Sequence, residues 1–259
     1  MLTVPGRPKK MRMERTTPVS SSDKLEVSVP TAWHELTEPQ LLFILRQLAE
    51  GIPPDRVEVY AFLRFAGLGV VRTEGERLIV RKGGRLFPLS RRDVVHGAMA
   101  LDFIHEPPPI PQRPERWRGV QAVNAELHGV PFGEYLQIEN YMQRYLQQPD
   151  DRLLYPMARL LYPGLTREAQ PKVFRYLILH WLTGLKMLFA RLYPDLYRPA
   201  PAEDGMPDLR EVMLAQIRAL TSGDVTKEHG VLNVDTWTAL AELNAKAREA
   251  KELERIYKK

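Results

Sequence analysis

Apolar residues recur at helical spacing along most of this chain. Thr37-Glu38-Pro39-Gln40 reads as a helix start: Thr37 is the N-cap, Gln40 completes a capping box, and Pro39 sits in the first turn, where its missing N–H costs nothing. Leu41, Leu42, Leu45 and Leu48 follow on one helical face, and Gly51 ends the element. A second helix is predicted from Pro54 to about Ala66, with Val57, Tyr60, Ala61 and Phe65 on its apolar side. The period then changes. Val70–Arg72, Arg77–Arg81 and Arg85–Phe87 are short strand-like runs, with turn residues at Thr73-Glu74-Gly75-Glu76 and Lys82-Gly83-Gly84 between them, so they predict a three-stranded meander. Ser90 and Asp93 then open another helix, with Val94, Val95, Ala98, Leu101, Phe103 and Ile104 as its apolar contacts.

Pro107–Pro114 holds five prolines in eight residues, which excludes helix and central strand and predicts a polyproline-like spacer. Beyond it the helical period returns. One helix runs from Phe132 to Gln147, another from Asp151 to Leu161, and Thr166 caps a long one ending at Leu192. A proline-rich break follows, and two helices close the chain, the last capped by Asp235 or Thr236 and continuing to near Tyr257. The fold class expected is mainly α: a small N-terminal α+β module with a short β-meander, then a helical domain and C-terminal helices. The boundaries predicted are a disordered arm over 1–30, the α+β module over 31–106, a Pro-rich linker over 107–118, a helical domain over 119–198, a hinge over 199–207 and C-terminal helices over 208–259.

Charge changes this picture little. Of a net +5, the first fifteen residues carry +4, through Arg7, Lys9, Lys10, Arg12 and Arg15 against Glu14. The remainder is nearly neutral, which argues against a nucleic-acid partner for the body of the chain. No cysteine is present, so disulfides, thiolate metal sites and cysteine nucleophiles are excluded. The most hydrophobic run, Val173–Leu192, is interrupted by Arg175, His180, Lys186 and Arg191, so a core helix rather than a membrane span is expected. The six histidines stand singly, with no HExxH; neither a phosphate-cradling glycine loop nor a Gly-x-Ser-x-Gly elbow occurs. We therefore expect no enzyme, no cofactor and no metal, and a protein that works by binding other proteins.

Two stripes are candidates for that binding. In the first, Tyr135, Ile138 and Met142 fall at i, i+3, i+7, and Tyr141 and Tyr145 at i, i+4, so the apolar surface wraps more than one face and calls for cover by the core or by a partner. In the second, Trp237 and Leu240 lead a thin, alanine-rich stripe on the last helix, where Trp237 would be the anchor of a docked partner.

The run Phe132-Gly133-Glu134-Tyr135-Leu136-Gln137-Ile138-Glu139-Asn140-Tyr141, followed by Asp151-Arg152-Leu153-Leu154-Tyr155-Pro156-Met157-Ala158-Arg159-Leu160-Leu161-Tyr162-Pro163, is similar to a segment of tailed-phage proteins. Asp235-Thr236-Trp237-Thr238-Ala239-Leu240-Ala241-Glu242-Leu243-Asn244-Ala245-Lys246-Ala247 is similar to the endings of phage and prophage proteins from Bacteroides-like bacteria. These resemble tail assembly chaperones, and the resemblance covers roughly residues 130–165 and 220–259. It implies a bacteriophage tail assembly factor in the host cytoplasm, a chaperone that binds the helical tape-measure protein during virion assembly. A structural tail or connector protein retained in the virion, and a nucleic-acid-binding regulator, are the alternatives; homo-oligomer formation stays open.

Overall fold

Both capping boxes form. In this computed structural model, which describes residues 25–166, 170–197 and 209–257, helix α1 (Glu38–Ala49) begins with the Thr37 amide donating to Gln40 Oε1 at 2.9 Å. Helix α2 (Pro54–Phe65) follows. The meander consists of β1 (Gly69–Glu74), β2 (Arg77–Lys82) and β3 (Arg85–Ser90), antiparallel in sequential order, with Val80 opposite both Val70 and Phe87. Helix α3 (Arg91–Ala98) starts with the Asp93 amide donating to Ser90 Oγ at 3.2 Å and the Ser90 amide donating to Asp93 Oδ2 at 2.8 Å. A 3-10 turn, Met99–His105, continues it. Then come a two-stranded hairpin, β4 (Arg116–Trp117) and β5 (Val120–Gln121), and helices α4 (Phe132–Gln147), α5 (Asp151–Leu161) and α6 (Lys172–Leu192). The chain closes with α7 (Leu209–Thr221), a 3-10 turn at Val225–Lys227, the short α8 (Glu228–Leu232) and α9 (Thr236–Tyr257). The fold is thus mainly helical with one small β-meander.

Two compact units divide the chain, and the boundaries differ from those the sequence suggested. The smaller comprises Glu58–Asp102 with the described residues up to Thr31; the larger takes Ala32–Val57 and the described residues from Phe103 onward. The small unit builds its core from Ala61, Phe62, Ala66, Ile79, Val80, Leu89, Val94 and Ala98. Gly97 is required there, because a Cβ would enter the Phe62 ring. Tyr60, expected on the apolar face of α2, is exposed; Phe62 takes that role.

In the larger unit α6 is the central element. Its buried side chains include Phe174, Leu177, Ile178, Trp181, Leu182, Leu185 and Phe189, and α1 packs along it. That pairing removes α1 from the expected 31–106 module, since Leu41, Ile44 and Leu45 find their cover on α6. The helix starts at Lys172, later than the Thr166 cap expected, because Pro171 has no N–H for an interior turn and holds Gln170 out of helical conformation. Among the described residues α6 is the one helix long and apolar enough to cross a membrane, and most of its span is buried in the fold.

The prolines at 107–114 do not form a free spacer. The Gln112 side-chain amide donates to the Trp33 carbonyl at 2.7 Å, and the Tyr162 hydroxyl donates to the Pro114 carbonyl at 3.1 Å. The Arg113 guanidinium lies 5.3 Å from the centre of the Trp181 ring. The segment comes so close to α6 at Gly184 that a Cβ there would collide with the Ile110 carbonyl and the Pro111 Cα. No rotamer relieves a clash with backbone. Gly184→Ala should therefore destabilise the larger unit by about 1–3 kcal/mol, although alanine is intrinsically better than glycine in a helix by about 1 kcal/mol. Urea unfolding followed by tryptophan fluorescence reads this unit alone, since Trp33, Trp117, Trp181 and Trp237 all belong to it. A stabilised variant would show that the segment does not pack on Gly184. The arm up to residue 24 and the hinge expected at 199–207 lie outside the described residues.

Candidate partner-binding surface

The first candidate stripe turns inward. Tyr135, Ile138, Met142 and Tyr145 are buried and Tyr141 is half-buried, so α4 spends its apolar circumference on its own unit, chiefly against α5. Tyr135 meets Phe189 edge-on at 5.9 Å and shares a 2.5 Å hydroxyl contact with Tyr197. Burial, with Glu139 nearby, pushes both phenols well above the ordinary tyrosine range, so both stay protonated near neutrality. Glu139 is itself engaged, 3.0 Å from Lys186 Nζ.

The second stripe is also internal at its start. Asp235 caps α9, its Oδ1 accepting from the Trp237 amide at 2.9 Å while its Oδ2 accepts from Gly129 at 2.6 Å. Thr236 adds amide and hydroxyl bonds to the Val130 carbonyl at 3.0 and 2.7 Å. The helix entry is therefore clamped to the segment before α4. Trp237 lies half-buried in that clamp: its indole N–H donates to the Glu126 carbonyl at 2.6 Å, His128 stacks on it at 4.3 Å, and Phe189 and Tyr193 meet it edge-on at 5.6 and 6.1 Å. Leu240 is fully buried. Of the pair expected to receive a partner, Leu240 is covered by α9's own attachment, and Trp237 keeps only part of its surface outside that attachment. Further along, Asn244 Oδ1 accepts from the Asp195 and Leu196 amides, and Lys251 pairs with Asp195 at 2.9 Å.

Beyond that last tie the chemistry changes. Leu253, Ile256 and Tyr257 stand at i, i+3, i+4 and are exposed, Tyr257 at 85 %. A second uncovered apolar surface belongs to α7. Its described side chains are exposed or half-buried apart from Thr221, although Val212, Met213, Leu214, Ile217 and Leu220 are apolar. Leu214 is 57 % exposed and, with Ile217, Arg218, Thr221, Gly223, Val225 and Glu228, lines a cavity of about 410 Å³. Such a trough, with one cation and one carboxylate at its rim, fits the apolar face of a helix. Sequence reading passed over α7, Ile256 and Tyr257, since it weighted the aromatic stripe of α4 and the tryptophan at the start of α9. The signal was there in Leu209–Thr221, a short helix with more apolar residues than one buried stripe needs.

Compared with protein-family models, with curated proteins and with solved structures, the chain matches none.

Proposed function

We propose that this chain is a non-enzymatic tail assembly factor of a tailed phage, acting in the bacterial cytoplasm by holding amphipathic helices of a tape-measure-like protein. The observation that carries the reading is α7, an apolar helix left half-covered beside the trough of Leu214, Ile217 and Val225. A chain that polymerising tail protein must later enclose exposes long amphipathic helices beforehand, and a helper needs apolar surface that it can offer and withdraw. The similarity of residues 130–165 and 220–259 to tail assembly chaperones supports the same reading, as does the outward face of Leu253, Ile256 and Tyr257.

The test is made in host cells producing particles. Cross-linking mass spectrometry with the tagged chain should place the long, helix-rich tail protein against α7, and the chain should be scarce in purified particles. Leu214→Asp with Ile217→Asp should weaken that capture about thirtyfold, the loss expected for one interface hot spot. The same pair should move the melting temperature of the isolated protein by only a few degrees, because neither side chain is in the core. Stoichiometric presence in particles would instead make the chain a virion component, and capture unaffected by both substitutions would remove α7 from the interface.

A further inference from the structure

Charge in the smaller unit is concentrated in a way the whole-chain sum conceals. From Arg77 to Arg92 the sequence holds six cations, Arg77, Arg81, Lys82, Arg85, Arg91 and Arg92, and no carboxylate. Arg77 and Arg81 lie on one face of β2, since strand side chains alternate, and on that face they stand about 14 Å apart. Arg72 of β1 shares this face and is held by Glu74 at 2.6 Å. Arg77 sits opposite Ser90, the cap of α3, so the strand delivers it beside Arg91 and Arg92. These three arginines, with His96, surround an open cavity of about 630 Å³ whose other lining groups are Glu76, Ser90, Val95 and Met99.

Two features mark this as more than a solvated face. Arg77, Arg81, Arg91 and Arg92 are all exposed, and none forms an ion pair among the described residues. Arg91 and Arg92 also occupy the first turn of α3, where the helix dipole disfavours cations. A polyanion lying across the sheet face and the cavity would relieve that conflict and match five-donor guanidinium groups to phosphate oxygens. An acidic amphipathic helix fits less well: Val95 and Met99 are the only apolar residues lining the cavity, and a docked helix needs anchors repeated along several turns. The sheet face with Arg72, Arg77 and Arg81 carries no aromatic residue on which unpaired bases could stack.

We propose that the β2–β3–α3 surface of the smaller unit binds the phosphate backbone of duplex DNA without reading its sequence. This surface is separate from the trough at α7, and its test does not depend on the tail-assembly reading.

The probe is a fluorescein-labelled mixed-sequence 25-base-pair duplex, titrated by anisotropy with the full-length chain in which Arg7, Lys9, Lys10, Arg12 and Arg15 are replaced by Ser to silence the N-terminal arm. Binding should persist, and log K should fall against log salt with a slope of about −4, equivalent to about a 250-fold weakening between 50 and 200 mM KCl. Adding Arg77→Ser and Arg81→Ser, or Arg91→Ser and Arg92→Ser, should each flatten the slope by about 2. Circular dichroism melts should be unchanged, because the four side chains are exposed. The proposal is overturned if binding disappears with the arm's charges, if the quadruple arginine variant binds as before, or if a poly-glutamate peptide or single-stranded DNA binds more tightly than the duplex.

Discussion

Trp237→Ala should lower the stability of the larger unit by about 3–5 kcal/mol, the range for truncating a packed aromatic, and its melting temperature by roughly 10 °C. The substitution deletes three ring contacts, with His128, Phe189 and Tyr193, and leaves the Glu126 carbonyl without its indole donor. It also opens the junction where the Asp235 and Thr236 bonds bring the start of α9 against the segment before α4. Trp237→Phe separates the contributions: the ring packing largely survives and the hydrogen bond does not, so about 1 kcal/mol should be lost. Calorimetry or circular dichroism is the appropriate measurement, because the substitution removes a fluorophore. A variant with unchanged stability that failed to capture its partner would return Trp237 to the docking role that an isolated helical stripe suggests. The geometry favours the architectural role.

The contrast shows what was legible in the sequence. Short-range chemistry was: Thr37 with Gln40 and Ser90 with Asp93 lie three residues apart, and both boxes form as read. The meander was also legible, because Gly75, Gly83 and Gly84 adopt the positive φ that their tight turns require. What the sequence could not show was which surfaces meet. Trp237 looked like a free anchor because Glu126, His128, Phe189 and Tyr193 are more than forty residues away along the chain. The prolines at 107–114 were rightly excluded from helix and strand, yet a segment barred from regular structure can still pack. The clue lay elsewhere, in a glycine within the apolar run of α6, which marks a close backbone approach. The charge cluster between Arg77 and Arg92 was visible throughout but averaged away by counting over the whole chain.

Acidification supplies a test of the core itself. His180 on α6 is buried, tilted against Trp33 at 4.5 Å, and its Nε2 has no hydrogen-bond partner. Burial lowers its pKa from 6.5 to about 4, so the folded unit holds the ring neutral. Below pH 6.5 the unfolded chain accepts a proton that the folded chain refuses, and stability falls by up to about 1.4 kcal/mol per pH unit. The contribution is intact above pH 6.5, shrinks as the pH drops towards 4, and amounts in total to about 3 kcal/mol, of which about 2 kcal/mol is gone by pH 5. The carboxylates whose pKa values are depressed, Asp93, Asp150 and Asp224, lose their favourable interactions only at lower pH, beneath 3.8, so they do not mask the effect. Urea unfolding by tryptophan fluorescence at pH 7.5 and pH 5 should show this loss in the wild-type chain. In His180→Leu the difference between the two pH values should shrink by about 2 kcal/mol, whatever the substitution does to packing at either pH, because a packing defect cancels in the subtraction. An undiminished acid loss in that variant would place the titrating group elsewhere and mean that His180 is protonated within the fold.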